Sequence, residues 1–206
     1  PYNAIPAGIY PYTVTDLNGC IIYDTITIIE PDSLYITHTL SNYNGYNVSC
    51  FGGNNATIDI QVNGGTAPFD NFLNNTLQAG LILNNLSAGN YTDSIVDLNG
   101  CSANTSININ EPSQLNSSIS SLDLTNCASN DGGIDLSVNG GTQPYTYAWT
   151  GPGGTYTTED LNNLSSGTYS VTITDINNCI TTNSATINDF NSTLTTSLSS
   201  PTYNGY

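Results

Sequence analysis

An eleven-residue stretch that occurs three times constrains this chain more than any other feature of its sequence. The copies are residues 10–20, 91–101 and 169–179. In each copy, apolar residues alternate with small polar ones, which is the period-two pattern of a half-buried strand. Each copy ends in Asp-x-Asn-Gly or Asp-x-Asn-Asn followed by Cys, and Asn and Gly tolerate the positive φ that tight hairpin turns need. The stretch therefore predicts a strand, a hairpin turn and a return strand, three times over.

The spacing of the copies gives the size of the repeating unit. Cys20 and Cys101 are 81 residues apart, and Cys101 and Cys179 are 78 apart. Units of about 80 residues lie near the lower end of the size range of independent domains. We predict the end of a truncated repeat at 1–31, complete repeats at 32–112 and 113–189, and the start of a further repeat at 190–206.

Each complete repeat has about seven short segments with strand character, separated by turn signals every 8–12 residues. In the first, Ile58, Ile60 and Val62 alternate with polar residues, and a Gly-Gly-Thr turn follows at 64–66. This pattern favours an all-β fold of tandem immunoglobulin-like β-sandwich domains. Because Glu-Pro pairs join successive repeats without a flexible linker, we expect the domains to form an extended array.

The charge balance excludes several functions. The chain has sixteen acidic residues, no Lys or Arg, and one His. Nucleic acid and anionic membrane surfaces are both recognised through Lys and Arg, so neither is expected as a partner. No apolar run has the length of about 18 residues needed for insertion into a bilayer. With one His and no cation to stabilise an oxyanion, we expect no enzyme.

Mutual repulsion is the second consequence of this charge. Sixteen carboxylates without cationic partners destabilise the compact state more than the expanded one. We therefore expect repulsion to raise the average carboxyl pKa in the folded chain.

Five cysteines in an acidic, Thr-rich repeat protein indicate disulfides and an oxidising compartment. Pairing Cys50 with Cys101 and Cys127 with Cys179 gives separations of 51 and 52 residues, whereas Cys20–Cys50 and Cys101–Cys127 would link neighbouring repeats. The near-constant first spacing favours the pairs within repeats. A metal site is disfavoured because the chain has no Cys-x-x-Cys.

Two further groups of residues are candidate ligand sites. Tyr145, Tyr147 and Trp149 share one face of a predicted strand and could stack on sugar rings, although strands of this kind also carry the core aromatics of sandwiches. Acidic residues recur at each hairpin (Asp16, Asp97 and Asp175) and at each junction (Glu30 and Glu111). Their oxygens could bind Ca²⁺ between domains; the alternative is that each Asp accepts turn amides and each Glu is solvated. We expect no other cofactor.

Three ordered motifs resemble a known family. Gly-Gly-Thr-x-Pro-Tyr-x-Tyr-x-Trp spans 140–149, Leu-x-x-Gly-x-Tyr-x-Val-Thr-Ile-Thr-Asp-x-Asn-x-Cys spans 164–179, and a closing Ile-x-Glu-Pro occurs at 109–112. Together they resemble the SprB-repeat family of cell-surface adhesins of gliding Bacteroidota. The first complete repeat departs from the pattern at Asn71, Leu73 and Asp93, where the second Tyr, the Trp and a core Val would stand.

The resemblance implies a structural and adhesive segment of a long filament on the outer cell surface, exported by the type IX secretion system and moved by an outer-membrane motility machinery. Its expected partners are neighbouring repeats of the same chain and a surface polysaccharide or substratum. The alternative is a carbohydrate-binding or spacer module of a secreted multidomain enzyme. Asp-[Ser/Thr]-aliphatic triplets, which resemble the O-glycosylation sequon of Bacteroidota, mark Thr25, Ser33 and Ser94 as candidate glycosylation sites.

Overall fold

The computed structural model describes residues 5–126 and 129–190. Within these ranges the chain forms sixteen β-strands and no helix, and the strands assemble into antiparallel sheets. The prediction of an all-β, immunoglobulin-like fold is confirmed. Among the described residues, no helix offers the length and apolar character that crossing a membrane would require.

The chain divides into two compact units. Unit 1 comprises the described residues of Pro1–Ser41 with Thr57–Ile109, and unit 2 comprises Asn42–Ala56 with the described residues of Asn110–Tyr206. The segment Asn42–Ala56, here called the cap segment, interrupts unit 1 in sequence and packs as part of unit 2. The predicted boundaries instead place these residues in the repeat at 32–112, together with the strands of unit 1. The last predicted range, 190–206, lies outside the described residues except for Phe190.

Unit 1 contains nine strands among its described residues. Its sheets have the orders β1-β2, β3-β4-β7 and β6-β5-β8-β9. The strands are β1 (Gly8–Thr15), β2 (Ile21–Ile28), β3 (Tyr35–Leu40), β4 (Ala56–Asn63), β5 (Asp70–Leu73), β6 (Thr76–Gln78), β7 (Ile82–Leu86), β8 (Gly89–Val96) and β9 (Ser102–Ile109).

Unit 2 contains seven strands among its described residues, in two sheets of order β10-β11-β14 and β13-β12-β15-β16. They are β10 (Asn116–Leu122), β11 (Gly132–Asn139), β12 (Tyr145–Gly151), β13 (Gly154–Tyr156), β14 (Leu161–Leu164), β15 (Gly167–Asp175) and β16 (Ile180–Ile187). Among the described residues, seven strands fall within 32–112 and seven within 113–189.

The core of unit 2 lies between its two sheets. Ile134 and Leu136 of β11 pack in one cluster with Trp149 of β12 and with Val171 and Ile173 of β15. All five side chains are at most 3% exposed. Their period-two spacing along each strand is the pattern read from the sequence, so the half-buried strands are explained by burial of one face.

A tyrosine on the strand before each hairpin turn ties that strand to the chain four residues upstream. The hydroxyl of Tyr169 donates to the carbonyl of Ser165 at 3.0 Å, and that of Tyr91 donates to Ser87 at 2.9 Å. Tyr10 makes the same bond to Pro6 at 2.7 Å. This arrangement is the tyrosine corner of immunoglobulin-like sandwiches, and it explains why Tyr opens all three copies of the stretch.

Unit 1 buries a carboxyl group where unit 2 buries a valine. Asp93, the counterpart of Val171, is fully buried on β8, and neither of its oxygens has a hydrogen bond of normal geometry among the described residues. Burial raises the pKa of Asp93, and the charge of His38 and the nearby Ser94 amide offset only part of this effect. The side-chain oxygen of Asn71 on β5 is also buried without a partner. The core of unit 1 is therefore polar at two positions that unit 2 fills with Tyr147 and Val171.

Replacing Asp93 by Val should stabilise unit 1. An unpartnered buried polar group costs about 1–3 kcal/mol, so we expect a gain of that order at pH 7. Because the folded pKa of Asp93 is raised, its ionisation lowers stability as pH rises above about 4 through that folded pKa. The gain of Asp93→Val over wild type should therefore be larger at pH 7 than at pH 4.

Calorimetry over this pH range measures the effect, and the single Trp provides the control. Trp149 lies in the core of unit 2, so its fluorescence should report an unchanged unfolding transition in Asp93→Val. Asp93→Asn should remove the pH dependence that Asp93 gives to the stability of unit 1. It should retain part of the free-energy cost of burying a polar group. Equal stability of Asp93→Val and wild type at pH 7 would contradict the assignment.

Candidate functional site

The three hairpin turns of the repeated stretch, residues 16–20, 97–101 and 175–179, are built around one carboxylate each. We call them corner turns. In the third, Oδ1 of Asp175 accepts the amides of Asn177 and Cys179, both at 2.9 Å. In the second, Oδ1 of Asp97 accepts the amides of Asn99 at 2.9 Å and Cys101 at 2.8 Å. Asp16 makes the same two bonds, to Asn18 and Cys20.

The second carboxylate oxygen holds a Gly-Gly-Thr loop against the corner turn. Oδ2 of Asp97 accepts the Thr66 amide at 3.0 Å, and the Asn99 side-chain amide donates to the Thr66 hydroxyl at 2.9 Å. The equivalent bonds in unit 2 run from Thr142 to Asp175 at 2.8 Å and from Asn177 to Thr142 at 3.2 Å.

Glycine is required in these loops. Gly64 and Gly140 have φ of +68° and +74°, and a Cβ at either would collide with a backbone carbonyl, that of Ser33 or Gln114. The backbone can therefore reach the corner turn only without a side chain at these positions.

These hydrogen bonds change the acidity of the corner carboxylate. Burial by itself raises the pKa of Asp97, but the amides of Cys101, Thr66 and Asn99 bond the charged form and bring the pKa below its ordinary value. These hydrogen bonds also explain why Asp recurs at this position of the sequence: each carboxylate accepts hydrogen bonds from the amides of its turn. No three His, Cys, Asp or Glu residues of the described ranges cluster in a way that could hold a metal ion. Calcium binding at the junctions stays a prediction.

The cap segment sits on the corner turn of unit 2 through polar contacts. The side-chain amide of Asn177 donates to the carbonyl of Tyr43 at 3.2 Å and lies 3.4 Å from that of Ser49. The side-chain amide of Asn44 donates to the Asn177 side-chain oxygen at 2.6 Å. The cap segment therefore recognises the corner through backbone carbonyls and one Asn–Asn pair.

Two further contacts fix the cap segment at the junction that follows β9. The amides of Asn47 and Val48 donate to the Asn110 carbonyl at 3.0 and 3.1 Å. The Gly52 amide donates to a carboxylate oxygen of Glu111 at 2.6 Å. Val48 is fully buried. Glu111, predicted as a junction residue that either binds Ca²⁺ or is solvated, thus accepts a hydrogen bond from the cap segment.

A disulfide closes this contact, and it differs from the predicted one. Cys50 of the cap segment bonds Cys179 of the corner turn, with 5.7 Å between the Cα atoms. The predicted Cys50–Cys101 pair is wrong, because Cys101 is an exposed free thiol. The predicted Cys127–Cys179 pair is excluded by the bond of Cys179, and Cys127 itself lies outside the described residues. Cys20 is a second exposed free thiol, so the alternative Cys20–Cys50 pair does not form either.

The aromatic face on β12 belongs to the core. Trp149 is 1% exposed, and Tyr145 and Tyr147 are half-buried and pack against the unit 2 cluster. The Trp149 indole donates to the Thr158 carbonyl at 3.0 Å. Burial together with the neighbouring Glu159 raises the pKa of Tyr147 to about 12. The Trp149 ring is not available to stack on a sugar, and the core-packing interpretation describes this face.

The candidate glycosylation residues occupy different environments. Ser33 is exposed ahead of β3, and Thr25 is exposed on β2. Ser94 is half-buried on β8, which is paired on both sides, and the Asp93 of its triplet is fully buried. Glycosylation at all three stays a prediction, with Ser33 and Thr25 the accessible positions.

Sequence reasoning missed Asn44, Asn110 and Asn177 as contact residues. The sequence offered one signal for such a role, which is the position of Asn177 in the repeated stretch. Asn177 stands two residues after the corner Asp, as Asn18 and Asn99 do in the other copies. Asn is common in turns for conformational reasons, so its role in holding the cap segment could not be separated from its role in the turn.

These features define an all-β protein of tandem immunoglobulin-like repeats, with a disulfide between a loop of one sequence repeat and a hairpin of the next. The family model described as the SprB repeat matches residues 43–75 and 125–154, which confirms the resemblance read from the motifs. SprB repeats are associated with cell-surface proteins, and two segments of the chain match this repeat.

Solved structures that match this chain include immunoglobulin-domain proteins. An amphioxus IgVJ-C2 molecule has a TM-score of 0.31 and 16% identity, covering 58% of this chain and 86% of the other. The N-terminal eight Ig domains of the Down syndrome cell adhesion molecule give 0.39 and 11%, covering 92% and 31%. Matches at these identities and TM-scores carry no conclusion about this chain. No curated protein matches the chain in sequence.

Reducing the Cys50–Cys179 bond should destabilise unit 2 by roughly 2–4 kcal/mol, the usual range for a native disulfide. Urea unfolding followed by Trp149 fluorescence, with and without reductant, measures the difference. The matched control is Cys50→Ser, whose unfolding should not respond to reductant. Non-reducing peptide mapping that joined Cys50 to Cys101 would contradict the assignment.

Proposed function

We propose that this chain is a segment of the shaft of a long adhesive filament on the outer surface of a gliding bacterium, and that it carries tension. The observation that carries the proposal is the Cys50–Cys179 bond, which spans 129 residues of sequence. The SprB-repeat match at two segments supports the cell-surface setting. Export by the type IX system and movement by an outer-membrane motility machinery are part of the proposal, as are neighbouring repeats and a surface polysaccharide or substratum as partners.

The chemistry of the chain suits a mechanical role. A pull along the backbone enters at one side of the bond and leaves at the other, so it crosses the Cys50 and Cys179 sulfurs and does not stretch the residues between them. Hydrogen bonds rupture at lower force than a covalent bond, and the cap segment places a covalent bond in parallel with its hydrogen bonds. The alternative, a carbohydrate-binding module, loses its aromatic platform because Trp149 is buried.

Single-molecule stretching between the chain ends tests the mechanical part. Full extension gains about 3.3–3.6 Å per residue, so reduction should lengthen the fully stretched chain by about 450 Å through release of the 129-residue span. Cys179→Ser should show the longer extension with or without reductant. Equal lengths for oxidised and reduced wild type would contradict a load-bearing bond.

Surface exposure tests the cellular part. In cells that produce the full-length protein, antibodies against unit 2 should label intact cells, and mild external protease should remove the label. Cells that produce the Cys50→Ser protein should carry equal label and detach from a surface at lower shear flow. Label only after permeabilisation would overturn the proposed location, and unchanged detachment would overturn the role in tension.

A further inference from the structure

We propose that the corner turn of unit 1 is an acceptor site for a cap-type segment of another repeat, which it binds as unit 2 binds Asn42–Ala56 and joins through a disulfide to Cys101. The proposed occupant has the chemistry of residues 42–53: a tight Tyr-Asn-Gly-Tyr turn, backbone carbonyls that accept from the corner Asn, one cysteine, and the amide of Gly52. We call Thr66, Asp97, Asn99 and Cys101, together with Glu30, the acceptor corner.

The first support is that the acceptor corner already has the form that receives a cap segment in unit 2. The bonds within the corners correspond one to one. Asp97 N to Cys101 O at 2.9 Å matches Asp175 N to Cys179 O at 3.0 Å. Leu98 N to Thr66 O at 2.9 Å matches Ile176 N to Thr142 O at 3.2 Å. Together with the bonds of the carboxylate and of Thr66, these place Asn99 and Cys101 as their counterparts place Asn177 and Cys179.

The second support is the use that unit 2 makes of the equivalent residues. Asn177 and Cys179 bind the cap segment, and Glu111 accepts its Gly52 amide at 2.6 Å. Their counterparts in unit 1 are Asn99, Cys101 and Glu30. Within the described residues, Asn99 uses its side chain only for Thr66, Cys101 has no disulfide partner, and the Glu30 carboxylate accepts no hydrogen bond. All three residues are exposed.

The third support is space next to the thiol. A cavity of about 330 Å³ in unit 1 is lined by Glu30–Leu34, Gly65, Asp97, Cys101 and Ser102. It combines the apolar surface of Pro31 and Leu34 with the carboxylates of Glu30 and Asp32. A segment that offers backbone amides and a small apolar side chain matches this lining, as Gly52 and Val48 match the junction in unit 2.

The other free thiol provides an internal comparison. Cys20 lies in a corner turn with the same Asp16 contacts, at 2.8 and 2.9 Å. No Gly-Gly-Thr loop among the described residues packs on that turn. If the whole acceptor corner forms the site, disulfide formation with a cap-type segment should be faster at Cys101 than at Cys20. If only exposure of the thiol matters, the two cysteines should react at the same rate.

Formation of the bond is an oxidation. The thiols of Cys101 and of the incoming cysteine lose two protons and two electrons in total, and a disulfide-type oxidant accepts them and becomes two thiols. In exchange form, the Cys101 thiolate attacks a mixed disulfide on the incoming cysteine. A new Sγ–Sγ bond forms and the original partner leaves as a thiolate.

The test uses the full chain with Cys127→Ser and a peptide of residues 42–53, which includes Gly52 and whose cysteine carries 5-thio-2-nitrobenzoate. Release of the coloured thiolate gives the rate, and peptide mapping locates the mixed disulfide. We expect reaction at Cys101 at least ten times faster than at Cys20, with a rate that saturates as peptide concentration rises. A scrambled peptide of the same composition should react with both cysteines at the slow rate.

Variants of the acceptor corner separate recognition from exposure. Asn99→Ala should lower the Cys101 rate to that of Cys20, and Glu30→Gln should lower it about threefold or more. An unchanged Trp149 unfolding curve and an unchanged calorimetric transition of unit 1 show that each variant is folded. Equal rates at Cys101 and Cys20 in the parent chain, or an equally fast scrambled peptide, would overturn the proposal.

Discussion

The structure depends on backbone amides bonding carboxylates, because the chain has no Lys or Arg to pair with its sixteen acids. Asp97 shows how this works: one side chain accepts the amides of Thr66, Asn99 and Cys101. A carboxylate held by several amides stabilises its charged form without a cation. Repulsion alone predicts raised pKa values, yet the pKa of Asp97, Asp123 and Asp131 is lowered by hydrogen bonds, and that of Asp131 reaches about 2. Local hydrogen bonding therefore dominates at these turns.

The same carboxylate organises the contact with the cap segment. By fixing both the turn amides and the Gly-Gly-Thr loop, Asp175 presents the side chain of Asn177 and the sulfur of Cys179 on one surface. The cap segment contributes mainly carbonyls and amides, so the contact depends on geometry more than on apolar area. A covalent bond suits such a contact, because polar contacts exposed to water contribute little net free energy each.

Much of the fold followed from the sequence, and the disulfide did not. The half-buried strands were readable because Val171 and Ile173 alternate with Thr, and the corner turns were readable because Asp, Asn and Cys keep fixed spacing. Asp93 was recognisable as a departure because its counterpart is Val171.

Cysteine spacing was a weaker guide. In a regular repeat, pairing Cys50 with Cys101 or with Cys179 preserves the period equally well, and the two separations differ by one repeat. Only the path of the cap segment into unit 2 decides between them, and that path depends on contacts of Asn44 and Asn177 that no local pattern encodes.

The position of the bond also bears on why unit 1 tolerates a polar core. Asp93 and Asn71 leave buried oxygens without partners, so unit 1 has a less favourable core than unit 2 at the equivalent positions. Strands β4 to β9 of unit 1 all lie between Cys50 and Cys179 in the chain. Under the proposed role in tension, force that crosses the two sulfurs bypasses these strands. It also bypasses β10 to β15 of unit 2, which lie between the same two cysteines, whereas β1 to β3 of unit 1 stay on the loaded path. A bypassed strand needs enough stability to fold but not enough to resist force, so the buried carboxyl on β8 is compatible with the proposed role. In that proposal, the strength of the chain under load depends on the disulfide and not on the core around Asp93.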